Sequence, residues 1–149
     1  MPQSEITKSY DDGLGALRSI SKPNNSQLYC YNYYCPKALA KSGVIKAAPG
    51  TLIHCLGFFE PGTSNTGEIY LHFFNSASVP ANGATPDFMC PTVFDYSNNS
   101  ADIPFDFDFL PTGLWFTTGI SWSLSTTLAT KTIPTDAGKQ DLWMQALFS

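Results

Sequence analysis

Glu68-Ile69-Tyr70-Leu71-His72-Phe73-Phe74, running into Asn75-Ser76-Ala77-Ser78-Val79-Pro80-Ala81-Asn82-Gly83-Ala84, decides how the rest of the chain is read. The first seven residues hold three aromatics and almost no strong helix formers. Gly67 and Asn75 bracket them, and a Pro/Asn/Gly cluster follows. A short apolar run between turn formers reads as a strand buried on both faces, such as the central strand of a sandwich.

Working outward, the neighbouring segments supply partners for that strand. Thr51-Leu52-Ile53-His54-Cys55-Leu56-Gly57-Phe58-Phe59 is a long strand with apolar side chains on both faces. The loop Glu60 to Gly67 is rich in turn formers, so the two strands are expected to form a hairpin. In that hairpin His54 and His72 face each other. Val44 to Ala48 is a shorter strand closed by Pro49-Gly50. Leu28-Tyr29-Cys30-Tyr31-Asn32-Tyr33-Tyr34 reads as another, and Pro36 to Lys41 is long enough for only one helical turn.

Further along, Asp87 to Phe94 is a strand that Pro91 confines to an edge or a bulge. Phe105-Asp106-Phe107-Asp108-Phe109 alternates strictly, with the three Phe on one face and both Asp on the other. Leu114 to Ser125 reads as one half-buried strand. Leu114, Phe116, Thr118, Ile120, Trp122 and Leu124 share its core face, and Trp115, Thr117, Gly119, Ser121, Ser123 and Ser125 share a face that is solvated or a flat contact surface. Asp141 to Phe148 is the last strand. About eight strands with turn signals between them predict an all-β fold, an antiparallel β-sandwich of jelly-roll-like form. This domain takes residues 28–149. Residues 1–27 are polar and irregular and read as an extended N-terminal arm.

Composition narrows the function classes. Only 13% of the 149 residues are charged, against about 25–35% on an ordinary soluble surface. Ser, Thr, Asn and Gly take their place, which suits a chain that works inside an assembly. The net charge is −4, and the lysines are scattered around a single arginine, Arg18. Nucleic-acid binding needs a basic stripe and is not expected. No apolar run approaches the roughly 20 residues of a spanning helix, so no membrane partner is expected either. Met1-Pro2-Gln3-Ser4-Glu5 has no signal-peptide character, so the protein is expected to be made and kept in a cytoplasm unless a phage or a dedicated export route carries it out.

Catalytic and metal signatures are missing. There is no G-x-S-x-G, P-loop, H-E-x-x-H or dinucleotide fingerprint. Cys30 and Cys35 form C-x4-C, but no second close pair accompanies them, so the four cysteines read as small buried hydrophobes in the reduced state. Asp11-Asp12-Gly13 lacks the alternating ligands of a calcium loop. No enzyme activity, metal or cofactor is expected. The chemistry that stands out is aromatic. Tyr29, Tyr31, Tyr33 and Tyr34 cluster, and Trp115 and Trp143 lie on strands. Tyr10 and Leu14 are apolar points in the arm. Together these eight residues are the candidate partner contacts.

Residues 46–133 resemble a family of small β-sandwich virion proteins encoded in the structural gene clusters of tailed phages. The matching pieces are Ala47-Ala48-Pro49-Gly50-Thr51-Leu52, Ile69 to Ala77, Val79-Pro80-Ala81-Asn82-Gly83-Ala84-Thr85-Pro86, Phe105-Asp106-Phe107, Phe116-Thr117-Thr118-Gly119-Ile120-Ser121 and Ser125-Thr126-Thr127-Leu128-Ala129-Thr130. The first 45 residues fall outside the likeness. The resemblance implies a capsid decoration (cement) protein on the outer surface of the major capsid protein shell, self-associating as a homotrimer, or else a tail or baseplate component. A glycan-binding receptor module is the alternative that the tyrosines and tryptophans support.

Overall fold

The structure is a computed structural model that describes residues 32–36, 38–61, 68–95, 101–135 and 140–149. Asn32–Ser149 form one compact unit. Nine strands occur among the described residues: β1 (Asn32–Tyr34), β2 (Ser42–Lys46), β3 (Gly50–Glu60), β4 (Glu68–Asn75), β5 (Phe88–Asp95), β6 (Ile103–Asp108), β7 (Leu114–Phe116), β8 (Ile120–Ser125) and β9 (Asp141–Phe148). No helix occurs among the described residues. The predicted arm, with Tyr10 and Leu14, lies outside the described residues, as do Tyr29 and Tyr31.

The strands form two antiparallel sheets. The first has the order β1-β9-β3-β6, with β7 pairing the start of β3 on the flank that β6 occupies further along. The second has the order β2-β8-β4-β5. Their inner faces share one apolar cluster, which makes the body sandwich-like. From the first sheet come Leu52, Cys55, Phe59, Phe105, Phe116, Leu142, Met144 and Ala146; from the second come Ile45, Ile69, Leu71, Phe73, Cys90, Phe94, Trp122 and Leu124. Phe59 of β3 stacks on Phe94 of β5 with ring centroids 5.0 Å apart, and Phe94 meets Phe105 edge-on at 5.6 Å. Each fully buried Phe or Leu contributes roughly 1.5–3 kcal/mol by area.

The Glu68–Asn75 strand is interior to its sheet, between β8 and β5, and Ile69, Leu71, His72, Phe73 and Phe74 are all buried. Burial on both faces is what its unbroken apolar run requires. Pro91 sits where the sequence places it. β5 is an edge strand, and its register with β4 slips between Tyr70↔Val93 and His72↔Met89, so residues 90–92 form a bulge. Phe105 is buried, while Asp106 and Asp108 are exposed.

Two expectations are overturned. β3 and β4 do not form a hairpin. They belong to different sheets, so His54 and His72 do not face each other. Turn-rich residues join two strands equally well within a sheet or between sheets, and here the apolar inner faces oppose each other across the core. Nor is Leu114 to Ser125 one strand. It breaks into β7 and β8, one in each sheet. Asn75 clamps the break: its Nδ2 donates to Thr117 Oγ1 at 2.8 Å, and its Oδ1 accepts from the Thr118 amide at 2.7 Å. Gly119 lies so close to Ala77 that a Cβ there would fall 2.7 Å from the Ala77 Cα.

Candidate functional site

The two sheets treat their outer faces differently, and the difference singles out one surface. On the second sheet the protein's own loops cover the outer face over β8 and the middle of β4, while Met89 of β5, opposite His72, stays 41% exposed. Ser121, Ser123 and Ser125 point away from the core yet are fully buried, which corrects the expectation of a solvated or contact-making serine face. Residues 76–87, joining β4 to β5, and residues 126–135, following β8, supply the cover. Ser121 Oγ donates to the Ser78 carbonyl at 3.2 Å. Ser125 Oγ lies 2.9 Å from the Thr130 carbonyl and accepts from the Thr132 amide at 2.9 Å. A small hydroxyl on every second residue lets a loop backbone lie flat on the strand and satisfies that backbone's polar groups.

The two covering segments also bind each other. The Gly83 amide donates to the Lys131 carbonyl at 2.8 Å, and the Lys131 amide donates to the Ala84 carbonyl at 2.7 Å. Gly83 adopts φ +92°, in a turn that the Ala84 amide closes onto the Ala81 carbonyl. The Lys131 ammonium is buried and donates to the Pro80 carbonyl. Burial pushes its pKa down. Beneath this cover His72 is fully buried, and neither ring nitrogen has a hydrogen-bond partner among the described residues. Burial lowers its pKa, and the Leu128 backbone offsets this only in part.

The outer face of the first sheet has a different character. Residues directly opposite each other in antiparallel strands share a face, and the register lays out the rows. Tyr33, Leu147, His54 and Asp108 form one row across β1, β9, β3 and β6. Gln145, Leu56 and Asp106 form the next, followed by Trp143, Phe58 and Pro104. Glu60 lies opposite Asp141 at one end, and Trp115 lies opposite Thr51 at the other. The middle is apolar: Leu56, Phe58, Trp143 and Leu147 are all half-buried, and Phe58 stacks on Trp143 at 5.8 Å. Acidic groups rim it at Glu60, Asp106, Asp108 and Asp141. Asp106 accepts from His54 Nε2 at 2.6 Å, and Asp141 is engaged by Lys41 at 3.0 Å. The largest exposed aromatics border this surface, Tyr33 at 60% and Trp115 at 67%.

Three of the four candidate contacts within the described residues therefore fall on this one face: Tyr33, Trp115 and Trp143. Tyr34 does not. Its partner in β9 is the buried Ala146, so it turns inward, packs against the core and accepts a long hydrogen bond from Trp122 Nε1 at 3.4 Å. Alternation along β1 separates the adjacent tyrosines. The sequence reading did not identify Leu56, Phe58 and Leu147 as part of the face. Their apolar character matched that of the core, and only the strand register separates outward from inward positions.

No three His, Cys, Asp or Glu side chains gather to hold a metal ion among the described residues. No helix there is long and apolar enough to cross a membrane. Compared with known proteins, the chain matches no protein-family model, no curated protein and no solved structure.

Proposed function

We propose that this protein is a phage capsid decoration protein that grips the outside of the major capsid protein shell with the outer face of its first sheet. The observation that carries the proposal is the asymmetry between the faces. One is largely covered by loops of the same chain, and the other presents an apolar centre with exposed aromatics at its border. Large aromatics around a desolvated centre are the usual anchors of a protein interface. The fold assigned with this function is a jelly roll. In its support, the strand orders β1-β9-β3-β6 and β2-β8-β4-β5 put eight strands in two four-stranded rows, with β7 a short addition to the first. Such double-sheet rolls are common in viral capsid and lectin domains.

The protein binds as a homotrimer and acts without catalysis, metal or cofactor, in the assembled virion after synthesis in the host cytoplasm. Repetition around the shell turns a modest contact of roughly 800 Å² per partner into firm attachment. The test is re-addition of purified protein to shells stripped of it, with occupancy read from sedimentation and image reconstruction. Saturable binding that Trp115→Ala and Tyr33→Ala weaken supports the reading, and an absence of binding refutes it. Removing residues 1–27 in the same assay tests the contribution of the arm.

The exposed Trp115 and Tyr33 also favour a second reading, a glycan-binding module of a tail or baseplate, since lectins share this architecture and aromatic faces stack on sugar rings. Retention on a glycan array without any affinity for shells would select it.

A further inference from the structure

Cys55 and Cys90 come from different sheets and meet inside the core. Cys55 is fully buried at the middle of β3, and Cys90 is 5% exposed in the bulge of β5. Four residues further along each strand, Phe59 stacks on Phe94 at 5.0 Å, so the inner faces of these strands oppose each other over this span. At the cysteine end both side chains belong to the same buried apolar cluster, and the Cys55 thiol is close enough to push the Cys90 pKa up. No third metal-ligating side chain among the described residues joins them. Neither belongs to the face described above, and the core would be filled as well by two small hydrophobes.

A pair of thiols buried between two sheets has a known use. Antibody domains tie their two sheets with a disulfide across the core. We infer that Cys55 and Cys90 close into an inter-sheet disulfide when the chain folds in the presence of a small disulfide oxidant, and otherwise remain a protected dithiol. One cysteine thiolate attacks the oxidant RSSR and releases RS⁻. The second thiolate then displaces the remaining RS group. The cysteines together lose two protons and two electrons, and RSSR becomes two RSH.

Timing follows from burial. The neighbouring Cys55 thiol and burial push the Cys90 pKa up, so little thiolate exists in the folded state, and the thiolate is the reacting species. The bond therefore forms during folding or transient opening. Once made, it ties β3 to β5, two strands that share no backbone pairing. It restrains an edge strand and closes a loop of intermediate length, which disfavours the unfolded chain.

The test uses the full chain. It is unfolded and refolded with oxidised and reduced glutathione, and in parallel with a phosphine reductant. Free thiols are then alkylated, and both samples are analysed by intact mass, non-reducing peptide mapping and urea unfolding. The oxidised sample should be lighter by two hydrogens, yield a peptide joining Cys55 to Cys90, and unfold at a higher urea midpoint that falls back on reduction. Cys55→Val and Cys90→Val keep the core apolar and should remove both the cross-link and the midpoint shift. Cys30→Ser with Cys35→Ser should leave both intact. Full alkylation of Cys55 and Cys90 after oxidative refolding, a cross-link confined to Cys30 and Cys35, or a Cys55–Cys90 bond that lowers the midpoint would each overturn the inference.

Discussion

Phe58 stacks on Trp143 with ring centroids 5.8 Å apart, on the side of the first sheet that turns away from the core. One residue further along β3, Phe59 points the opposite way and stacks on Phe94. A pair like Phe59–Phe94 holds sheets together, whereas Phe58–Trp143 holds only a surface. A double-mutant cycle on Phe58→Ala and Trp143→Ala should give a coupling of about 0.5–1.5 kcal/mol in urea unfolding. Coupling indistinguishable from zero would show that the two rings do not interact in solution.

Trp115 should separate stability from binding. It is 67% exposed, so Trp115→Ala should move folding stability by no more than about 0.5 kcal/mol. On the proposed function, Trp115→Ala should weaken binding to stripped shells tenfold or more, equivalent to about 1.4 kcal/mol. A variant that binds with unchanged affinity removes Trp115 from the interface.

Gly57 is required by close approach. A Cβ there would lie 2.0 Å from the Trp143 carbonyl oxygen and 3.0 Å from the Phe105 ring. The carbonyl belongs to the β9 backbone, which is fixed by the β3–β9 ladder. Gly57→Ala should therefore destabilise by about 1–3 kcal/mol, although the same change at an open strand position stabilises. The urea midpoint reads this directly, and a midpoint at or above that of the parent protein contradicts it.

His72 should make stability depend on pH. Burial lowers its folded-state pKa below its ordinary value of about 6.5. Between the two values the unfolded chain binds more protons than the folded one, so stability falls as pH drops. The contribution is complete above about pH 6.5 and is lost progressively below it, until the folded imidazole itself protonates. His72→Phe should flatten this part of the profile. Urea midpoints at pH 7.5 and pH 5 test it, and equal losses in parent and variant would exclude His72 as the source.

The sequence made the class of fold legible because strand signals are local. Glu68 to Phe74 announced an interior strand, Pro91 announced an edge with a bulge, and the Phe105–Phe109 alternation announced its own orientation. Pairing is not local. Nothing in Glu60 to Gly67 distinguishes a hairpin turn from a passage between sheets, and the break after Phe116 depends on Asn75, which lies 42 residues from Thr117. The site was half legible for the same reason. An aromatic on a strand declares that it needs a partner, but the direction it faces is set by a register that distant strands complete. The buried serines of β8 were misread because their cover comes from residues 76–87 and 126–135.

The position of β9 has a consequence for biosynthesis. β3 gains its β9 neighbour, and β1 its β9 partner, when residues 141–148 have been made. Until then a nascent chain on the ribosome carries β3, a long apolar ribbon whose β9 flank stays open through the translation of some eighty further residues and whose other flank waits for β6 and β7. Such late, distant pairing folds slowly and exposes sticky ribbon to its neighbours. Yield of folded protein should therefore fall with overexpression and rise with chaperone supply.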